Sequence, residues 1–308
     1  KSLVAGIFAL IMHGVVSASA GKPAEQEKPN ILYIFTDDQS IRSVSCYPEA
    51  HEWVNTPNID ELARDGVRFA YCYTGAWSMP SRATALTGKL QHGIESMRLL
   101  EDYPNSTYDP EKCPFWPKVF RKNGYFTGMI GKWHTGDDAG HGRAWDYSAV
   151  WDHTQPDIYG GYYTNQKISF NGGPPEAVGG YSTDNYTRWA VDFIEERAGK
   201  QKKPWYLWLC YDAVHSPYTP ADRHKDDYRN VPSVPVPEDI FPPRPNKPTY
   251  MQDYGVWEKG EDGEPVGLDS TVRRYNRAVR ALDEGVGKVM ETLKKTGQLN
   301  NTLVVFTS

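Results

Sequence analysis

A serine and an arginine four residues apart could together bind an anion and attack it. Ser78 and Arg82 open a short segment that ends at Gly88. Pro80 suits the first position of a helix, because its fixed φ fits there and its missing N–H costs nothing, and Gly88 suits the position just after a helix. Ser78 would then lie at a helix N-terminus, which favours an anion, with a cation at Arg82 about one turn later. Taken alone, Ser-x-Pro also fits an ordinary serine N-cap.

Two adjacent acidic residues follow the first apolar run of the chain. Residues 30–36 are almost continuously apolar, which is typical of a strand buried on both faces of a parallel sheet. Asp37 and Asp38 come directly after this run, at the carboxyl end where open α/β sheets bind their ligands. Their hard oxygens suit Ca²⁺ or Mg²⁺, although an isolated acidic pair is more often a solvated turn.

Two later strand-like runs end in basic residues. Residues 125–130 lead into Gly-Lys132-Trp-His134, and residues 205–211 lead into Asp-Ala-Val-His215-Ser-Pro. Side chains two apart cannot share one face of a helix, but Lys132 and His134 can both point into a cleft from a loop at a strand end. In isolation, a surface pair or a structural histidine is the ordinary interpretation.

Strands and helices alternate between these motifs. Thr56 suits a helix cap before Pro57, and Gly66 suits the end of that helix, which should lead into a strand over residues 67–73. Further helices are predicted at Trp116–Lys122, 182–197 and 269–295, and a last strand at 303–306. This alternation predicts an α/β fold with a mainly parallel sheet.

Two stretches lack a regular period. Residues 137–180 are rich in Gly, Tyr, Trp and His and are predicted to be long loops over the sheet edge. His141 and His153 fall there, and we expect both to face solvent or at most to line a substrate. Residues 231–265, rich in proline, are predicted to be an extended surface loop.

Composition and charge narrow the class of protein. With 308 residues, 39% hydrophobic residues and a net charge of −5, the chain is typical of a globular protein without the basic stripe that nucleic acid requires. Residues 1–20 combine Lys1, an apolar run and Ala-Ser-Ala, which predicts a signal peptide followed by a linker at 21–29. The run is too short to span a bilayer comfortably, so we expect an exported, periplasmic or secreted bacterial protein without stable membrane insertion.

Four cysteines occur, and in an exported protein they could form up to two disulfides with three pairings. They are Cys46, Cys72, Cys113 and Cys210. Cys72 and Cys210 lie in strand-like runs and are predicted to be small buried apolar residues.

Together the motifs resemble the sulfatase family over residues 28–308. The resemblance rests on Asp37-Asp38, on the Thr-Pro-Asn-Ile-Asp run from Thr56, on Ser78, Pro80, Arg82, Leu86, Thr87 and Gly88, on Gly-Lys132-Trp-His134, and on His215-Ser-Pro. It implies an alkaline phosphatase-like three-layer α/β/α sandwich that lacks its C-terminal part, with 28–308 as an N-terminal catalytic domain. Two positions depart from the pattern, because Thr135 replaces the usual Leu and Tyr218 replaces a frequent His.

The resemblance also implies a role for each residue. Ser78 is converted after translation to formylglycine, whose hydrated aldehyde is the nucleophile. The implied metal ligands are Asp37, Asp38 and Ser78, holding Ca²⁺ or alternatively Mg²⁺. The implied catalytic residues are Ser78, Arg82, Lys132, His134 and His215, of which Lys132 and His215 also bind the substrate. His215 would protonate the leaving oxygen, and His134 would deprotonate the second hydroxyl of residue 78.

The implied function is sulfuric ester hydrolysis of an arylsulfatase-like kind. Export and the aromatic loops favour a sulfated carbohydrate substrate, and the serine form resembles the bacterial type matured by a radical enzyme. Two alternatives stay open: a phosphate or phosphonate ester hydrolase of the same superfamily using unmodified Ser78, and an inactive carbohydrate-binding relative. The family places more metal ligands and a sulfate-binding lysine after the last strand, so we expect the sequence to continue beyond Ser308.

Overall fold

The computed structural model describes residues 28–73, 78–90, 115–135, 145–153, 157, 160–200 and 203–308. The predicted signal peptide, His141 and Cys113 lie outside these residues.

Within the described residues, seven strands form one sheet at the centre of the protein. In chain order they are β1 (Asn30–Phe35), β2 (Phe126–Lys132), β3 (Tyr147–Trp151), β4 (Gln166–Phe170), β5 (Glu176–Val178), β6 (Trp205–Cys210) and β7 (Thr302–Thr307). Their spatial order is β5-β4-β3-β2-β6-β1-β7, parallel from β3 to β7 and antiparallel at β4 and β5. The mainly parallel sheet predicted from the sequence is confirmed.

Helices cover both faces of the sheet. They are α1 (Pro57–Asp65), α2 (Ser78–Thr87), α3 (Trp116–Lys122), α4 (Ser182–Lys200) and α5 (Leu268–Lys295), with short 3-10 helices at Ile41–Ser43, Asp222–His224, Thr249–Gln252 and Leu299–Asn301. One apolar core joins Leu32 and Leu207 to α1, α4 and α5, and a second joins Phe35 and Trp208 to α2. Because neighbouring residues of β1 enter opposite cores, the strand is buried on both faces, and the three-layer α/β/α arrangement is confirmed.

The prediction of a strand at residues 67–73 is wrong. The segment forms no strand within the described residues, and the side chains of Val67 and Tyr73 are 81% and 89% exposed. An alternating pattern becomes a strand only where a neighbour supplies hydrogen bonds, and no described strand pairs with this segment. Cys72 is therefore exposed rather than buried, whereas Cys210 is buried as predicted. Both of these cysteines and Cys46 are free thiols.

Residues 137–180 are not only loops, because β3, β4 and β5 lie within them. These strands are three to five residues long, too short for a clear period among the surrounding glycines and polar residues. Residues 231–265 contain a single short 3-10 helix and no strand, in agreement with the predicted surface loop.

Two predicted helix starts differ in detail. Helix α2 begins at Ser78, so Pro80 is its third residue and not its first. Thr56 makes no side-chain cap for α1. Instead the Asp283 carboxylate of α5 accepts hydrogen bonds from the backbone N–H groups of Asn58 (3.1 Å) and Ile59 (2.9 Å). A carboxylate from a neighbouring helix thus satisfies the free N–H groups that a helix start leaves.

No helix within the described ranges is long and apolar enough to span a membrane.

Candidate active site

The carboxyl ends of β1, β6 and β2, three adjacent parallel strands, bring the predicted residues together. Asp37 follows β1, Lys132 ends β2, and His215 lies five residues after the end of β6. Ser78 reaches the same edge from the start of α2. This is the edge at which open α/β sheets bind their ligands.

The hydroxyl of Ser78 contacts three of the predicted residues. Its Oγ lies 3.0 Å from Nδ1 of His134, accepts a hydrogen bond from Nε of Arg82 at 3.1 Å, and donates to Oδ1 of Asp37 at 3.2 Å. A single oxygen atom therefore has an imidazole nitrogen, a cation and a carboxylate beside it.

Asp37 is buried, and both of its carboxylate oxygens are engaged. Oδ1 accepts a hydrogen bond from Arg82 (3.1 Å), and Oδ2 accepts one from the Tyr162 hydroxyl (2.6 Å) and forms an ion pair with Nζ of Lys132. Burial alone would raise the pKa of Asp37, but the charges of Lys132 and Arg82 outweigh it and hold that pKa well below its ordinary value. Asp37 is an anion at physiological pH.

The two cations are fixed by their surroundings. The Arg82 guanidinium is buried, lies 4.9 Å from the centre of the Phe35 ring, and donates to the backbone oxygen of Lys132 at 3.2 Å. Lys132 is also fully buried, and burial lowers its pKa although the charge of Asp37 opposes the shift. Both positive charges can thus meet an anion without first being ordered.

His134 and His215 differ in environment. Burial, and then the charge of Lys132, lower the pKa of His134 to about 2, so its imidazole is neutral and can accept a proton. The His215 side chain is 30% exposed at the rim, where its Nδ1 lies 2.7 Å from the backbone oxygen of Ser216 and its Nε2 lies 3.7 Å from Oδ2 of Asp38. A carbonyl oxygen only accepts hydrogen bonds, so Nδ1 carries a proton and Nε2 faces the acid.

Two further side chains complete the site. Tyr162 was not assigned to it from the sequence, and His153 was expected to face solvent or at most to line a substrate. Tyr162 contacts Asp37 and Lys132 through its hydroxyl. The ring of His153 lies 4.6 Å from that of His134 and 6.0 Å from that of His215, so it lines the site. Burial, and then the charge of Lys132, lower the pKa of His153 to about 4. Both residues follow β3 in aromatic-rich sequence without a motif, so no pattern distinguished them.

The oxygen atoms at the site suit part of a calcium shell. Asp37, Asp38 and Ser78 offer carboxylate and hydroxyl oxygens. Ca²⁺ binds about six to eight oxygen ligands of this kind. In the described part of the chain, no group of three His, Cys, Asp or Glu residues is arranged as a metal site. Asp38 is 56% exposed beside His215, and both oxygens of Asp37 face cations. The oxygen donors therefore suit such an ion by type, but the described residues are not arranged around one.

Comparisons with known proteins agree with one another. The family model described as Sulfatase matches residues 29–308. An N-acetylglucosamine-6-O-sulfatase of Bacteroides thetaiotaomicron is 28% identical over 94% of this chain and 60% of its own length. An arylsulfatase of Klebsiella aerogenes is 26% identical over 99% of this chain and 70% of its own.

Two solved structures share the fold. BT4656 in complex with its substrate D-glucosamine-2-N,6-O-disulfate has a TM-score of 0.71 and 25% identity over 91% of this chain and 65% of that one. Ps i-CgsB in complex with k-i-k-neocarrahexaose has a TM-score of 0.66 and 27% identity over 91% of this chain and 58% of that one. The chain thus spans about three fifths of the length of most of these relatives.

Proposed function

Because the chain belongs to the sulfatase family, we propose that the whole protein is a sulfuric ester hydrolase that cleaves sulfate monoesters of carbohydrates. The observation that carries the proposal is the triple contact of the Ser78 hydroxyl with His134, Arg82 and Asp37. A sulfate ester resists hydrolysis because its anionic oxygens repel a nucleophile and its alkoxide leaves poorly. Its cleavage needs fixed positive charge, an activated nucleophile and a proton for the leaving oxygen.

Two groups would complete the site. Residue 78 as formylglycine would supply a hydrated aldehyde as the nucleophile, and Ca²⁺ held by Asp37, Asp38 and residue 78 would supply further positive charge. Support for residue 78 comes from its position at the start of α2, with a base and a cation already within 3.1 Å. Its conversion needs a maturation enzyme, which we propose as a partner of the folding chain.

The protein's own side chains have separate tasks. Arg82 and Lys132 neutralise the sulfate oxygens, since both are buried cations that Asp37 holds in place. Neutral His134 accepts a proton from the hydroxyl at residue 78 through its Nδ1. His215, half-buried at the rim, donates a proton to the leaving oxygen from Nε2, which lies 3.7 Å from Oδ2 of Asp38.

The proposed substrate class rests on the names of relatives and on the rings near His215, and not on the contacts of Ser78. One relative is named an N-acetylglucosamine-6-O-sulfatase, and one similar structure holds D-glucosamine-2-N,6-O-disulfate. The rings of Tyr162 and His153 lie beside His215, and aromatic rings can pack against sugar faces. We therefore propose 6-O-sulfated amino sugars as the first candidates, met outside the cytoplasm if residues 1–20 act as a signal peptide.

The test is sulfate release from a panel of defined sulfated sugars, with the matching sugar phosphates alongside, by the complete gene product made with a maturation enzyme. We expect sulfate from at least one 6-O-sulfated sugar and a loss of at least about 10³-fold in Ser78→Ala. Thr84→Ala is the matched control, because it removes from the same helix a hydroxyl that has no hydrogen-bond partner among the described residues. Faster release of phosphate than of sulfate would favour the phosphoesterase alternative instead.

A further inference from the structure

Tyr162 connects the two ends of the site. Its hydroxyl accepts a hydrogen bond from Nζ of Lys132 (2.6 Å) and donates one to Oδ2 of Asp37 (2.6 Å). Its ring stacks on the His215 imidazole with a centre-to-centre distance of 4.7 Å and an angle of 11° between the planes. One side chain thus contacts the cationic pocket through its oxygen atom and the rim histidine through its ring.

Residues of the sheet and its core hold the backbone and ring of Tyr162 in place. The amide of Gln166 donates to the Tyr162 carbonyl at 2.6 Å and to Oδ2 of buried Asp212 at 2.8 Å. Trp151, at the end of β3, packs edge-on against the Tyr162 ring at 4.8 Å. Since these partners belong to the sheet and its core, the ring is positioned by the rigid part of the fold.

The side chain of His215 is held at one edge, where its Nδ1 lies 2.7 Å from the backbone oxygen of Ser216. His215 lies in the loop after β6, and its side chain is partly exposed. The neighbouring Tyr163 fixes the backbone, because its hydroxyl donates to the His215 carbonyl at 2.5 Å. The ring of Tyr162 lies nearly parallel to the face of the imidazole and limits its rotation out of that plane.

We propose that Tyr162 is a positioning residue for sulfate ester hydrolysis, whose hydroxyl fixes Lys132 against Asp37 and whose ring orients His215 toward the leaving oxygen. This rests on the proposed function of the same site. The two tasks belong to different atoms, so two substitutions separate them. Tyr162→Phe removes the hydroxyl and keeps the ring, whereas Tyr162→Leu removes both.

The experiment measures kcat and KM of the complete gene product on a sugar sulfate and on aryl sulfates with leaving groups of different acidity. Tyr162→Phe should lower kcat by about tenfold on every substrate, because Lys132 meets the sulfate whatever the leaving group. Tyr162→Leu should lose about a further tenfold on the sugar sulfate alone, since only basic leaving groups need the proton from His215. Tyr211→Phe is the matched control: it removes another buried hydroxyl, 2.9 Å from Oγ1 of Thr187.

Calorimetric titration with inorganic sulfate gives a readout that does not depend on turnover. The affinity should fall severalfold in Tyr162→Phe and stay unchanged in Tyr211→Phe. Wild-type rates and wild-type sulfate affinity in Tyr162→Phe would overturn the inference while leaving the proposed function intact. Absence of sulfate release by the wild type would overturn the proposed function, and the titration would still decide whether Tyr162 orders the anion site. If Tyr162→Leu fails to fold, Tyr162→Phe still tests the task of the hydroxyl, and Tyr162→Met takes the place of Tyr162→Leu in testing the task of the ring.

Discussion

His134 and His215 look equivalent in sequence but differ in burial. His134 lies among Lys132, Arg82 and Ser78, where burial keeps it neutral and able to accept a proton. His215 is at the rim, with its Nε2 3.7 Å from Oδ2 of Asp38. This difference in environment is why we propose His134 as the base and His215 as the acid.

The acid role of His215 predicts a dependence on the leaving group. His215→Ala should lower kcat/KM for sugar sulfates, whose alcohols are basic, by about 10²-fold or more, and for aryl sulfates with acidic phenols by about tenfold or less. Steady-state kinetics on both substrate classes measures the difference. Equal losses on both classes would contradict proton donation by this residue.

The convergence of Asp37, Lys132 and His134 could be predicted from their positions after two strands of one parallel sheet. Ser78 reaches the same edge from the start of α2, and it was predicted from its resemblance to the family motif and not from a strand. Tyr162 was not predicted to lie in the site, because its position depends on Gln166 and on the antiparallel strands that follow β3. The sequence of those strands has no recognisable period.

Secondary structure elements were predictable where burial made their pattern continuous. Strands β1 and β6 are buried on both faces and so appear as apolar runs, and α4 and α5 have apolar stripes that reach one core. Residues 67–73 have an equally good strand pattern but no described partner strand. Whether a segment has a partner strand to pair with cannot be read from its own local sequence pattern.

The packing of α5 on α4 depends on a close approach at Gly285. A Cβ atom there would lie 2.5 Å from Oγ1 of Thr187 and 3.0 Å from the Tyr211 hydroxyl oxygen. We predict that Gly285→Ala lowers the free energy of unfolding by about 1–3 kcal/mol, despite the better helix propensity of alanine.

Gly199→Ala is the control for that prediction. Gly199 is also helical, in α4, but a Cβ atom there would meet nothing within 4 Å. We expect this variant to gain up to about 1 kcal/mol. Urea unfolding of both variants measures the difference, and a Gly285→Ala protein as stable as Gly199→Ala would show that the two helices have room to separate.

For the molecule as a whole, Asp212 adds a pH dependence to stability. It is fully buried below the site, and burial raises its pKa to about 7. The hydrogen bonds from Ser182 and Gln166 lower that pKa, but burial has the larger effect. The folded state therefore retains a proton that the unfolded chain loses near pH 3.8, the ordinary pKa of an aspartate. The bound proton contributes its full share to the free energy of unfolding below that pH. This contribution decreases as the pH rises toward 7 and is absent above it.

Asp212→Asn tests this dependence. The substitution should flatten the decline in the free energy of unfolding between about pH 4 and 7, which amounts to at most about 4 kcal/mol in the wild type. Exposed Asp222→Asn is the matched control. Urea unfolding at pH 5 and pH 8 measures the effect, and an equal pH slope in wild type and Asp212→Asn would contradict it.

The most direct measurement of the central claim is the mass of the peptide that contains residue 78, determined on the same preparation whose sulfate release is assayed. We predict a peptide lighter than the encoded one by two hydrogen atoms, in a fraction that rises with maturation and in proportion to the sulfatase activity. Full activity from a preparation in which residue 78 is entirely unmodified serine would contradict the assignment of the nucleophile.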